Sequence, residues 1–260
     1  MKAKKSLGQN FLHSKSALFA IVKAGNLSDK ETVLEIGPGT GMLTRELLKT
    51  GAKVVAIEKD DALIPVLNET FSSEIKSGQL HLIHGDILDF KPESSNLKAQ
   101  SYILVANIPY YLTGLIFRKF IGGDSKPKRA VLLVQKEVAT RIVARDGKES
   151  ILSLSVKAFG TPKIVTKVPK TAFRPAPNVD SAVLLIEDIN DGGLNKKAQE
   201  AFFETLHASF AHKRKRLFSN LAGVFGKEKA SLVFEKLALP ENTRAEDLDI
   251  ETWKKISELF

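Results

Sequence analysis

The 260-residue chain contains no cysteine. Disulfides and thiolate chemistry are therefore excluded, and the absence fits a reducing compartment. No apolar run is long enough to span a bilayer. The N-terminus has lysines but lacks the apolar segment that a signal peptide needs, so the expected location is cytoplasmic. The five histidines, His13, His81, His84, His207 and His212, show no metal spacing, and no serine stands in a G-x-S-x-G setting. Neither a metal centre nor a nucleophile is assigned. Residues 1–28 hold no acid at all.

What is present is a core-forming fraction of 43% hydrophobic residues and a net charge of +9. That charge is unevenly spread. Residues 1–28 carry +5, residues 29–117 carry −4, residues 118–174 carry +10 (14 basic, 4 acidic), residues 175–189 carry −3 and residues 190–260 carry +1. A basic tail and one basic middle stretch are what a polyanion-binding face leaves in a sequence, although solvated surface lysines give the same count.

The order of patterns reads as alternating strands and helices. Thr32–Ile36 is an apolar strand, Gly37-Pro38-Gly39-Thr40-Gly41 a glycine-rich turn, and Met42–Lys49 a helix. Such a turn lets backbone approach a ligand, and the helix N-terminus favours a negative group. The next strand, Lys53–Ile57, ends at Glu58, where an acid binds ribose hydroxyls in Rossmann units. The dinucleotide fingerprint fails, because its third glycine falls on Met42. The pattern is that of a nucleoside site rather than specifically an NAD site. A third strand, Leu80–His84, ends at Gly85-Asp86, where the acid suits either an adenine amine or a plain turn. Helices are expected at Ala62–Phe71, despite Pro65, and at Thr113–Phe120.

The run Tyr102–Ala106 reads as a buried strand that ends in Asn107-Ile108-Pro109-Tyr110. Ligands of open α/β sheets bind off the carboxyl ends of the strands. The Asn107 side-chain oxygen and the Ile108 carbonyl can each accept one N–H of an exocyclic amine, and the Tyr110 ring can stack on a base. Read alone, the same four residues also fit a strand-to-loop turn with Pro109 as punctuation. Phe173, on a loop stiffened by Pro175 and Pro177, suits a second wall of a base pocket or simple core packing. After the linker Asn190-Asp191-Gly192-Gly193 the pattern is all-helical, with Ala198, Phe202, Leu206 and Phe210 as a core stripe. Lys213, Arg214 and Arg216 form a basic cluster, and Arg141 and Arg145 project from an earlier helix. All five are candidate RNA contacts, or simply charged helix faces. The acidic 241–251 stretch reads as a solvated turn.

Taken together these residues resemble the KsgA-type family of ribosomal RNA adenine N6-dimethyltransferases. The likeness runs nearly end to end. It shows in Gly8-Gln9-Asn10-Phe11-Leu12, Glu35-Ile36-Gly37-Pro38-Gly39-Thr40-Gly41, Glu58, Gly85-Asp86 and Asn107-Ile108-Pro109-Tyr110. It continues in Phe173–Ser181, Lys213–Leu221 and Thr243–Leu248. Ile108 is often Leu in the family, and the basic cluster usually starts with two arginines. The resemblance implies an α/β fold: a Rossmann-like methyltransferase domain on a mostly parallel seven-stranded sheet over 1–189, then a small all-helical domain over 190–260. It implies S-adenosylmethionine as cofactor, with Asn10 and Leu12 closing over it, Gly37 near its methionine part, Glu58 on the ribose and Asp86 on the adenine. Asn107 stands where cofactor and target amine meet. The implied substrate is two adjacent adenosines in the terminal hairpin loop of 16S rRNA within an immature small subunit. The chain is expected to act as a monomer, without metal or membrane. A 23S rRNA adenine methyltransferase of the macrolide-resistance type, and an RNA-binding assembly factor that keeps the fold, are the alternatives.

Overall fold

The computed structural model describes residue 4, residues 7–212 and residues 214–260. In chain order the elements are β1 (Phe11–Leu12), α1 (Lys15–Gly25), β2 (Thr32–Ile36), α2 (Met42–Leu48), β3 (Lys53–Glu58), α3 (Ile64–Thr70), α4 (Ser72–Lys76), β4 (Leu80–His84), β5 (Ile103–Asn107) and α5 (Thr113–Ile116). They continue as β6 (Arg129–Gln135), α6 (Lys136–Val143), α7 (Ile151–Lys157), β7 (Thr161–Val168), β8 (Phe173–Arg174), β9 (Ser181–Glu187), α8 (Lys196–Phe210), α9 (Leu217–Phe225), α10 (Lys227–Lys236) and α11 (Ile250–Ser257).

The chain divides into two compact units. One comprises residues 1–139 and 160–190, the other residues 140–159 and 191–260. The sequence expectation placed the whole of 1–189 in the first domain, so the structure differs at 140–159. Contacts that local pattern cannot reveal account for the difference. The Glu149 N–H donates to the Glu246 carbonyl, and Lys148 pairs with Asp247. The acidic 241–251 stretch is accordingly not a bare solvated turn, since Thr243 and Ala245 are buried.

The first unit is built on a seven-stranded sheet in the order β4-β3-β2-β5-β6-β9-β7. Strands β4 through β6 in that order are parallel, and β9 runs antiparallel to both β6 and β7. Strands buried on both faces read as unbroken apolar runs, and Ile103 to Ala106 of β5 are at most 1% exposed. Helices α1 and α2 pack beside each other, with α1 against β6 and β7 and α2 against β3. Pro65 sits in the first turn of α3, where a missing N–H costs nothing. The helix expected at Thr113–Phe120 is α5 running into a wider π-helical turn, Phe117–Ile121. That turn buries Phe117, Phe120 and Ile121 together. In the second unit, Phe202 and Leu206 of α8 are fully buried, as the stripe implied, and Trp253 of α11 lies 5.8 Å from Phe210.

Candidate active site

Strand register assembles the site. Ile36 pairs with Ile57 on one side and Ala106 on the other, so Gly37, Glu58 and Asn107 emerge at one level. Glu58 pairs with His84, which sets Gly85 and Asp86 just beyond. A cavity of about 180 Å³ opens at these four strand ends. Its lining includes Gly37, Glu58, Asp86, Asn107, Ile108, Pro109 and Tyr110, all singled out from sequence. Residues Leu7 to Phe11 and Phe173 line it as well.

Each lining side chain is held by its own constraints. Gly37 has φ +66° and nothing within 4 Å of where a Cβ would stand, so bare backbone faces the cavity. Glu58 is 5% exposed. Its Oε2 accepts the Gly39 N–H at 3.0 Å and its Oε1 the Asp60 N–H at 2.8 Å. A carboxylate has about four lone-pair sites, so both oxygens can still accept hydroxyls. Asp86 accepts the Lys59 ammonium at 2.6 Å and the Leu88 N–H at 2.9 Å, which hold its pKa below the usual carboxylate range.

Asn107 donates from Nδ2 to the backbone carbonyl of Asn10 at 3.0 Å. A carbonyl can only accept, so this bond fixes which way the amide points and leaves Oδ1 as the side chain's acceptor. The Tyr110 hydroxyl lies 2.9 Å from Ser181 Oγ, and burial raises the phenol's pKa. Phe173 lines the cavity yet is only 3% exposed and belongs to the core cluster.

The N-terminal segment lies across the cavity as a strap. Residues Phe11 and Leu12 pair with Arg174 and Phe173 in a two-stranded antiparallel ribbon. Gln9 donates to Asp60 at 2.7 Å, and the Lys4 ammonium lies 2.6 Å from Asp60 and 2.9 Å from Asp61. Burial alone would raise the Asp60 pKa, but Lys4, Gln9 and the Ala62 N–H outweigh it and lower it.

The Leu12 side chain lies in the core cluster, while its neighbour Phe11 lines the cavity. Successive strand residues face opposite sides, which explains the alternation. Arg141, Arg145, Arg214 and Arg216 fall in the second unit, exposed, and are not among the residues that line the cavity. Lys213 lies outside the described residues. Part of the basic stretch is paired with acids, mostly outside it: Lys128 pairs with Glu31, Arg129 and Lys163 with Glu187, Lys148 with Asp247 and Lys157 with Glu149.

Sequence reasoning passed over Gln9, Lys59 and Tyr111, which also line the cavity. Gln9 and Tyr111 each adjoin a motif residue, a signal that could have marked them. Glu35, inside the glycine-turn motif, was given no role. It is 1% exposed, and neither carboxylate oxygen has a hydrogen-bond partner among the described residues. Burial pushes its pKa up to about 8, Glu58 adds to the rise, and Thr44 opposes it. Among the described residues no cluster of His, Asp and Glu could hold a metal, and no helix is long and apolar enough to cross a membrane.

The chain matches the ribosomal RNA adenine dimethylase family over residues 1–260. It is 40% identical over 258 residues to Ribosomal RNA small subunit methyltransferase A of Dehalococcoides mccartyi, across 98% of this chain and 88% of that one. A dimethyladenosine transferase from Plasmodium falciparum has a similar structure, with a TM-score of 0.80 and 26% identity over 95% of each chain. The 23S rRNA methyltransferase ErmE is similar in fold, with a TM-score of 0.78 and 23% identity over 96% of this chain and 99% of that one. Matched over its whole length, and 40% identical to a ribosomal RNA small subunit methyltransferase A, the chain belongs to the ribosomal RNA adenine dimethylase family.

Proposed function

We propose that the chain transfers methyl groups from S-adenosylmethionine to N6 of two adjacent adenosines in the terminal hairpin loop of 16S rRNA, giving N6,N6-dimethyladenosine. The observation that carries this reading is the Asn107 amide, turned by the Asn10 carbonyl so that Oδ1 is left as an acceptor in the cavity. The residues present suit the cofactor. Gly37 offers bare backbone, Glu58 keeps lone pairs for ribose hydroxyls, and the ionised Asp86 accepts an adenine amine. Bound there, S-adenosylmethionine supplies an electrophilic methyl group.

The chain's own residues supply orientation. The target nitrogen is a poor nucleophile because its lone pair is delocalised into the ring. Its protons become acidic only after the methyl group is gained, so no strong base is needed beforehand. Asn107 Oδ1 and the Ile108 carbonyl accept the two N–H groups and hold the amine pyramidal, with its lone pair aimed at the methyl group. Such positioning is worth on the order of 7–11 kcal/mol. The Tyr110 ring, tethered through Ser181, supports the flipped base, and Phe173 closes the far wall. Loop adenosines are partly unstacked already, which lowers the cost of extrusion.

The relatives named for the small subunit favour 16S rRNA over the 23S reading, since the likeness to ErmE is one of fold. The substrate is taken to be an immature small subunit and the enzyme a monomer in the cytoplasm. Primer extension across both rRNAs from a deletion strain tests this. Loss of dimethyladenosine confined to the 16S hairpin supports it, and loss confined to 23S rRNA contradicts it.

A further inference from the structure

Two consecutive tyrosines leave β5, and the structure treats them differently. Tyr110 is half-buried, with its hydroxyl 2.9 Å from Ser181. Tyr111 lines the same cavity but is 59% exposed, and its hydroxyl has no hydrogen-bond partner among the described residues. The Tyr111 ring is nevertheless placed. A Cβ at Gly8 would stand 3.3 Å from its Cε1 and 3.5 Å from its Cδ1, so the ring rests over bare strap backbone. Gly8 has φ +62°, which also disfavours a side chain there. The result is an aromatic ring at the cavity mouth, supported on one side by the strap and open to solvent on the other.

We infer that Tyr111 is a stacking platform for the nucleotide next to the adenosine in the cavity. The inference rests on the proposed RNA substrate and deepens it. Single-stranded RNA is held by aromatic rings on which successive bases stack. When one loop base enters the cavity, its neighbour is left at the mouth, where a ring with one face backed by the strap already stands. The ring face does the binding and the hydroxyl takes no part. This platform keeps the strand in register, so that one adenosine of an adjacent pair is presented while the other is parked.

The test uses the full-length enzyme and immature small subunits that lack the modification. Wild type, Tyr111→Ala and Tyr111→Phe are compared for methyl transfer at varied subunit concentration, with cofactor affinity measured separately. Tyr111→Ala is expected to lower kcat/KM for subunits about tenfold, equivalent to about 1.4 kcal/mol. Its cofactor dissociation constant and melting temperature stay at wild-type values, and Tyr111→Phe behaves as wild type. An unchanged kcat/KM in Tyr111→Ala overturns the platform. So does a defect carried by cofactor affinity, which would make Tyr111 a prop for the strap, or a Tyr111→Phe variant as impaired as the alanine one. A wild-type enzyme that leaves 16S rRNA unmodified contradicts the proposed function itself, which separates the two failures.

Discussion

Asn107 and Glu58 carry the site at the scale of single residues. Each is constrained by backbone groups of one kind, and that fixes what it can offer a ligand. Glu58 meets two N–H donors, from Gly39 and Asp60. Glu58→Gln keeps the shape but turns an amide NH2 toward one of those donors. A donor left facing a donor costs about 1–3 kcal/mol when buried. The expected outcome is at least a tenfold loss of cofactor affinity by calorimetry, together with a lowered melting temperature. A variant with unchanged values for both would remove Glu58 from the ribose role. Asp86 is different. Its partner Lys59 is 56% exposed, and a pair of that kind contributes little to stability. Asn107 was legible in sequence through its company, since read alone it also fitted a turn, and the other strand-end residues Gly37, Glu58 and Asp86 tipped the reading. The partner that orients it, the Asn10 carbonyl, was not. It lies 97 positions away and leaves no mark in either local pattern.

At the scale of elements, the strap and the strand ends form the cavity between them. The strand ends follow from register, and the apolar runs with their terminal Gly37, Glu58, Asp86 and Asn107 made that half readable. The strap was only half readable. Its Gly-Gln-Asn turn was visible, but the pairing of β1 with β8 joins segments far apart in the chain, and the clasp on Asp60 involves the poorly distinctive Lys4 and Gln9. Asp60 is 4% exposed and accepts from Lys4, Gln9 and the Ala62 N–H. Asp60→Ala is therefore expected to release the strap. Limited proteolysis before residue 11 should quicken and cofactor affinity should fall several-fold. Lys4→Ala should change both much less, because Lys4 is 43% exposed. Equal protection of the Asp60→Ala strap from protease would contradict the clasp.

At the scale of the whole molecule, burial of Glu35 ties stability to pH. Its pKa rises from 4.5 unfolded to about 8 folded, chiefly through lost hydration. Below pH 4.5 both states hold the proton and the group adds no pH-dependent cost. Between pH 4.5 and 8 the unfolded chain releases it while the folded chain keeps it, so stability falls by about 1.4 kcal/mol per pH unit. Above pH 8 the loss is complete and constant. Glu35→Gln lacks this linkage. In denaturant unfolding its advantage over wild type should widen from pH 4.5 to 8 and then level off, whereas parallel curves would contradict it. The division of the chain was legible at the linker near 190 and illegible at 140–159, because pairings such as Lys148 with Asp247 cross about a hundred positions. The charge map was coarse for the same reason: it counts lysines without distant carboxylates such as Glu31, Glu187 and Asp247.

The acceptor geometry at Asn107 is tested most directly by single-turnover methyl transfer to immature small subunits, read by mass spectrometry of rRNA fragments. In Asn107→Ala the expected result is a rate at least a hundredfold below wild type, with cofactor affinity within a few fold. Full single-turnover activity in that variant would contradict a mechanism in which a side-chain oxygen, rather than a general base, prepares the amine.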